Sequence, residues 1–347
     1  MYFHPPTQED HGLARGGSIK VLSFSPQVVT KEDVRILLIS TTAIGDTVMA
    51  TPFIRAVRLH YSKAHITVFA HYKRLSILEH NPHVNHLLPY YGKGKHLLKT
   101  LCALRPGKFD LAIVLHANDP DIVPLVRWSN APMRVGWGES KWARLFTHTI
   151  CRTDPPEHFM VHKKRLLESI GIPVPDLHTE IFLQTKDELP FHQKILPWLR
   201  KISSSSDYVV MHPFGTKTTK WWSLDHFLSM SQHIWEKQHW PTVFVGDDKS
   251  LPSVQQHSHF DPSRHIITLG CSIRESAFII QQARRMLTTD SGPMHLAFAV
   301  RCPTLSLFGP TQPTLHGPCF DQNHHRVLYR NPLSELTLEE VIQAWDT

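Results

Sequence analysis

The feature that most constrains this chain is a strand–helix alternation that runs through its first half, stops, and then starts again. The apolar run Arg35-Ile-Leu-Leu-Ile-Ser40 reads as a buried strand. A turn at Thr41 to Asp46 leads into the apolar-periodic stretch Val48 to Leu59. Pro52 falls in the first turn or so of that helix, where its missing N–H costs little. Further strands are expected at 65–70, 85–90 and 111–116, with helices at 72–79, 95–104, 121–128 and 157–170. Gly171-Ile-Pro-Val-Pro175 breaks the pattern, and Ser203 to Ser206 closes a linker that carries a helix near 188–201. Alternation resumes with strands at 208–212, 242–246, 265–269, 286–289 and 304–308. Helices at 224–237, 251–257, 273–285 and 293–299 separate them, and a last helix at 336–345 is expected to pack back across the first domain.

Alternation of this kind builds a parallel sheet with helices on both faces. The fold class is therefore α/β, with two Rossmann-like domains facing a cleft. The expected division is an N-terminal arm at 1–33, a first domain at 34–175, a linker at 176–205, a second domain at 206–334 and a C-terminal helix at 335–347. A length of 347 residues gives each domain room for its own core. Neither half carries G-x-G-x-x-G, so a dinucleotide fingerprint is not supported.

Composition narrows the function classes. No stretch approaches the roughly 18 uninterrupted apolar residues of a membrane span. Residues 1–17 lack the apolar core of a secretory signal, so a cytoplasmic location is the expectation. The five cysteines are widely spaced and form no C-x-x-C pair, which fits reduced thiols. The close histidine pairs His257/His259 and His324/His325 lack further ligands at metal-site spacing, so no metal is expected. Charge is uneven: residues 34–175 hold 19 Lys/Arg against 9 Asp/Glu, whereas residues 206–347 hold 11 against 13. A basic first half suits an anionic partner (nucleic acid, a membrane surface or an acidic acceptor) or only a solvated surface.

Three loops sit where chemistry is expected, since ligands of open α/β sheets bind beyond the carboxyl ends of the strands. After the first strand, Gly45 allows a tight turn and Asp46 stands at a helix entry, as a cap or as a base. After the first strand of the second half, Thr216 and Lys220 offer a hydroxyl and a point charge to a diphosphate. Trp222 in the same loop reads better as an anchor for the next helix. Asp290-Ser291-Gly292-Pro293-Met294-His295 joins a strand end to a helix start, where free N–H groups make a phosphate site and His295 adds a donor. Asp247 and Asp248 also follow a strand, either as a ribose acceptor or as a turn.

Together these residues resemble glycosyltransferase family 9, the lipopolysaccharide heptosyltransferases. The resemblance runs from about Val34 to Pro318. It rests on Gly45-Asp46-x5-Pro52, on His212-Pro213-x-Gly215-x4-Lys220-x-Trp222, and on Asp290 to His295 continuing to Phe308-Gly309-Pro310-Thr311 and Gly317-Pro318. It implies a GT-B architecture, with nucleotide mostly on the second domain and acceptor mostly on the first. It also implies an inverting, metal-independent transfer of heptose from an ADP-heptose donor to the lipopolysaccharide inner core, with no cofactor. By position Asp46 matches the general base, and Thr216 and Lys220 match the diphosphate contacts. Asp248 matches the acid near the ribose, and Asp290, Ser291, Gly292 and His295 match the nucleotide loop. The chain departs from the family at Phe214, inserted between Pro213 and Gly215, and at Phe298, where a small residue is usual. An anionic glycolipid acceptor would meet Lys73, Arg74, Arg134, Lys163, Lys164 or Arg165, whichever of them face the cleft or the membrane, with peripheral contact on the inner face of the cytoplasmic membrane. The rival readings are a GT-B enzyme for another nucleotide-sugar, an epimerase included, and a nucleic-acid binder. The second lacks any recognisable binding module, so no nucleic-acid partner is expected.

Overall fold

The computed structural model describes residues 33–347 apart from 93, 117–119 and 204. The expected arm therefore lies, but for its last residue, outside the described residues. The first half forms β1 (Arg35–Ser40), β2 (His65–His71), β3 (His86–Tyr90), β4 (Leu111–His116), β5 (Met133–Trp137) and β6 (His148–Ile150). They make one parallel sheet in the order β3-β2-β1-β4-β5-β6. Its helices are α1 (Ile44–Val48), α2 (Thr51–His60), α3 (Leu97–Leu104), α4 (Ile122–Trp128) and α5 (Phe159–Glu168). After the linker and α6 (Leu196–Ile202) come β7 (Val209–His212), β8 (Thr242–Phe244), β9 (His265–Ile267), β10 (Arg285–Thr289), β11 (Thr304–Phe308) and β12 (His325–Tyr329). These form a second parallel sheet, β12-β11-β10-β7-β8-β9. Helices α7 (Leu224–Gln238), α8 (Leu251–Gln255), α9 (Ile273–Gln281), α10 (Gly292–Ala299), α11 (Pro313–His316) and α12 (Leu338–Asp346) complete it.

Period-two alternation explains why the central strands are apolar throughout. Ile36 and Leu38 of β1 enter the core under α2 and α5, while Leu37 and Ile39 enter the opposite core under α4. In each sheet the chain reverses direction across the sheet beside its first strand, between β1 and β4 and between β7 and β10. These are the two points where ligand crevices open.

Several expectations change. The helix expected over 48–59 is two, α1 and α2, with Pro52 in the first turn of the second. Strands β5, β6 and β12 were not foreseen; β6 and β12 are sheet edges, where half-exposed residues blur the apolar pattern. The C-terminal helix does not cross to the first half. The apolar stripe of α12 (Val341, Ala344, Trp345) fits against Phe227 and Trp222 of the second half, and the Arg285 guanidinium lies 4.6 Å from the Trp345 ring centroid. Trp222 Nε1 donates to Leu336 O at 2.8 Å, so this side chain anchors as expected. The segment that does cross back is 316–321. His158 Nε2 donates to Gly317 O at 2.9 Å, and Phe320 packs on the first core.

The halves are joined by a buried cation. Arg274 of α9 is 2 % exposed and its guanidinium grips the Asp187 carboxylate of the linker at 2.7 Å. The same guanidinium donates to Ser76 O and Glu79 O of the first half at 3.0 and 3.1 Å. Removing one partner of such a pair strands the other charge. Arg274→Ala should therefore lower stability by roughly 3–5 kcal/mol, read as a shift in the urea midpoint. An unchanged midpoint would show the pair to be dispensable. The five cysteines are unpaired thiols. No helix among the described residues is long and apolar enough to cross a membrane.

Candidate active site

The loop after β1 delivers Asp46 to the first crevice. Asp46 is the third residue of α1, not its cap, and its carboxylate turns back on the loop. Oδ2 accepts from Thr42 Oγ1 at 2.6 Å and from the Ala43 N–H at 3.1 Å, while Oδ1 lies 3.6 Å from His116 Nε2. Burial pushes the carboxyl upward, but the charges of His116 and Lys163 and the bonds from Thr42 and Ala43 outweigh it, holding the pKa at about 2. His116 is itself pressed down to about 4 by burial and the nearby Lys163, so at neutral pH it is an uncharged neighbour.

The facing lip comes from the second half. Lys220, on the loop after β7, reaches Asp290 Oδ2 at 2.5 Å. Gly215 permits this, because a Cβ there would sit 2.8 Å from Lys220 Cβ. Trp221 Nε1 donates to Gly215 O at 2.8 Å and closes the loop, with Phe214 edge-on to the Trp221 ring at 5.3 Å. The extra Phe214 thus becomes part of the loop's own core. Ser291 stands at the entry to α10 with its hydroxyl donated to Thr289 O at 3.1 Å, so its side chain makes no capping bond to the helix. The first amides of α10 are left without a side-chain acceptor, as an anion site requires.

The two lips touch. A Cβ on Gly45 would lie 2.4 Å from His295 Cδ2, and one on Gly292 would lie 3.0 Å from Ile44 Cβ. Both glycines are small because α1 and α10 pack there. His295 is 6 % exposed, and burial holds its ring at about 4 against the pull of Asp290 and Asp46. It occupies the seam between the halves.

The structure thus brings Asp46, Lys220, Asp290, Ser291, Gly292 and His295 together. Asp290 is not an open ligand but the counter-ion that holds Lys220. Thr216 is exposed on the same loop as Lys220. Of the acidic pair, Asp247 is spent on its turn, accepting from the Lys249 and Ser250 amides at 3.1 and 2.8 Å. Asp248 is exposed at the end of its strand, with Oδ1 taking the Gly270 N–H at 2.7 Å. His212 is committed to Val245 O at 2.7 Å and serves the sheet.

Sequence reasoning missed His116 and His316. His116 ends β4 at the switch point beside β1, a position that could have flagged it. His316 of α11 carries electrostatic coupling to Asp290, Lys220, Asp46 and Lys163, and only the crossing of 316–321 brings it there. The structure also sorts the basic residues offered to the cleft or the membrane. Lys163 is 1 % exposed and faces the interior, because α5 turns it toward β4. Arg134 donates to Ala131 O and Leu145 O at 2.6 and 2.8 Å, and Arg165 pairs with Glu157 at 2.5 Å. Lys164 pairs with Glu168. The pair His257/His259 gains a third potential ligand in Asp225, 3.3 Å from His257 Nε2, where sequence spacing offered none. The first contact is accounted for as a hydrogen bond, since His257 Nδ1 accepts the His259 N–H at 3.3 Å and its Nε2 then carries the proton.

Comparison with known proteins bears on the family and the fold. The family model for glycosyltransferase family 9 (heptosyltransferase) matches residues 97–345. Lipopolysaccharide heptosyltransferase 3 of Escherichia coli K12 is 26% identical over 282 residues, 77% of this chain and 80% of that protein. The solved glycosyltransferase family 9 protein of Veillonella parvula superposes with a TM-score of 0.80 at 21% identity, covering 90% of this chain and 96% of that one. Escherichia coli ADP-heptose lipopolysaccharide heptosyltransferase II gives 0.71 at 19% identity, covering 90% and 98%. Those likenesses show the GT-B fold. With the family model covering most of its length, the chain belongs to glycosyltransferase family 9, the heptosyltransferases, and is a glycosyltransferase.

Proposed function

We propose that this enzyme moves heptose from ADP-heptose to a lipopolysaccharide inner-core acceptor by one inverting displacement that needs no metal. The observation that carries the reading is the opposition of an ionised carboxylate, Asp46, to a cationic lip built from Lys220 and the first amides of α10. The acceptor hydroxyl attacks the anomeric carbon from the Asp46 side, and its proton passes to Asp46. The bond from that carbon to the diphosphate oxygen breaks on the opposite face. Its electron pair leaves with ADP, where Lys220 and the amides at Ser291–Gly292 stabilise the growing charge. Asp290 orients Lys220, and Thr216 and Asp248 flank the diphosphate and ribose. The ADP-heptose named for the Escherichia coli structural relative supports the choice of donor.

Thermal-shift titration with ADP, UDP and GDP tests the donor class. ADP should stabilise most, and a preference for UDP or GDP would overturn it. Chelation by EDTA should leave the transfer rate unchanged, whereas a strict divalent-metal requirement would refute the metal-free route.

The same reading places the enzyme at the inner face of the cytoplasmic membrane. Leu97 and Leu98 of α3 are 41 % and 79 % exposed, beside the exposed Tyr72 and the lysines Lys73, Lys95 and Lys99. Exposed apolar side chains with exposed lysines close in the chain suit an anionic headgroup layer. Binding to vesicles containing phosphatidylglycerol should weaken as salt rises and should fall in Leu98→Glu. Equal binding to neutral and anionic vesicles at low salt would return these lysines to ordinary solvation.

A further inference from the structure

Outside the residues assigned to transfer, three side chains of metal-ligating type converge at the surface of the second half. Asp225 is the second residue of α7, and His257 and His259 lie in the turn that follows α8. Asp225 Oδ1 stands 3.3 Å from His257 Nε2 and 3.7 Å from His259 Nδ1, and the three donor atoms all lie within 4.8 Å of one another. Ligands held about 2.0–2.1 Å from a tetrahedral zinc ion stand about 3.3–3.4 Å apart. Two edges of such a tetrahedron are therefore nearly drawn already, from one carboxylate oxygen to each imidazole. The elements beneath are fixed by packing, since Phe227 of α7 and Phe260, next to His259, enter the same core. The Phe260 N–H also donates to His257 O at 2.9 Å and closes the turn. Asp225 and His259 are open to solvent, which gives an ion its way in.

We propose that Asp225, His257 and His259 bind one divalent transition ion of the zinc class, with water in the fourth position. Two neutral imidazoles and a carboxylate are donors that zinc takes, whereas magnesium and calcium call for oxygen ligands throughout. Without the ion, the proton on His257 Nε2 faces Asp225, because Nδ1 accepts the His259 N–H at 3.3 Å. Ligation uses the Nε2 lone pair, so the proton moves through solvent to Nδ1 and the long bond from His259 is given up. Three coordinate bonds replace two weak hydrogen-bonded contacts. The ion ties the first turn of α7 to the turn after α8. Helix α7 follows the loop that carries Lys220, and α8 follows the turn of Asp247 and Asp248. The site is a stabilising one outside the chemistry, so emptying it with a chelator leaves the metal-free transfer route intact. It does not depend on which donor or acceptor the enzyme uses.

Zinc chloride is the probe, added to the full chain after EDTA treatment and removal of the chelator, and read by calorimetric titration and by melting temperature. The expected result is one ion bound per chain and a melting temperature that rises with zinc. His259→Ala removes a ligand and Asp225→Asn removes its charge. Each should weaken zinc at least about tenfold, the cost of losing even an outer-shell partner, and should shrink the zinc-dependent rise in melting temperature. Both side chains are exposed, so the zinc-free melting temperatures and the ADP shift should match wild type. Zinc bound equally well by both variants would assign the ion to other histidines or to the exposed thiols of Cys102 and Cys151, and would overturn the site. Absence of saturable binding to wild type would overturn it too. So would an equal rise in melting temperature with magnesium chloride, which would be a general effect of charge.

Discussion

Replacing Asp46 with Asn is expected to lower transfer by roughly 10²–10⁴-fold while leaving ADP affinity within a factor of about two, below the 1.4 kcal/mol of a tenfold change. The substitution keeps the shape of the loop. An amide oxygen can still accept from Thr42 Oγ1 and the Ala43 N–H, which hold the carboxylate at 2.6 and 3.1 Å. It cannot take the acceptor's proton. Nucleotide binding is assigned to the other lip, so the two effects should separate in kcat and in an ADP titration. The pH dependence should be as specific. With its carboxyl held at about 2, Asp46 is ionised in the folded enzyme throughout the neutral range. A fall in rate between pH 7 and 5 would therefore belong to another group. Near-wild-type turnover by the Asn variant would make Asp46 a helix-entry carboxylate and nothing more.

The second large effect should come from Lys220→Ala. Removing the ammonium takes away the cation assigned to the leaving diphosphate, and a loss of roughly 10²–10³-fold in kcat is expected, together with weaker ADP binding. It also leaves Asp290, 7 % exposed, without the partner now at 2.5 Å. Melting temperature should therefore fall as well. The double variant Lys220→Ala/Asp290→Asn separates the two consequences, because it removes the stranded charge without restoring the cation. Its melting temperature should recover while its activity stays low. Recovery of activity in the double variant would mean that Lys220 serves only to neutralise Asp290.

The fold was largely legible in the chain because central parallel strands are buried on both faces and print as unbroken apolar runs, as Ile36 to Ile39 do. The edges were not. His148–Ile150 and His325–Tyr329 are half exposed and mix polar with apolar residues, so no periodicity marks them. The direction of α12 was misread because an amphipathic stripe says that a helix is covered but not by what. The lips of the site could be named from turn chemistry at strand ends, and Asp46, Lys220 and Asp290 do meet there. What Asp290 does was hidden, since its pairing spans 70 residues. Which of Lys163, Lys164 and Arg165 faces the cleft was hidden for a related reason, since only the packing of α5 points the first inward and the other two at Glu168 and Glu157. His316 depended on a crossing that no local pattern announces.

Heptosyl transfer itself is tested most directly by incubating the purified enzyme with ADP-heptose and inner-core lipopolysaccharide lacking its outermost heptose, in EDTA. Mass spectrometry and anomeric NMR of the product are the readouts. The expected result is an acceptor heavier by one heptose, stoichiometric release of ADP, and an anomeric configuration opposite to that of the donor. Retention of configuration would contradict the single displacement. ADP-heptose bound but never transferred to any inner-core acceptor would contradict the assignment of the substrate pair.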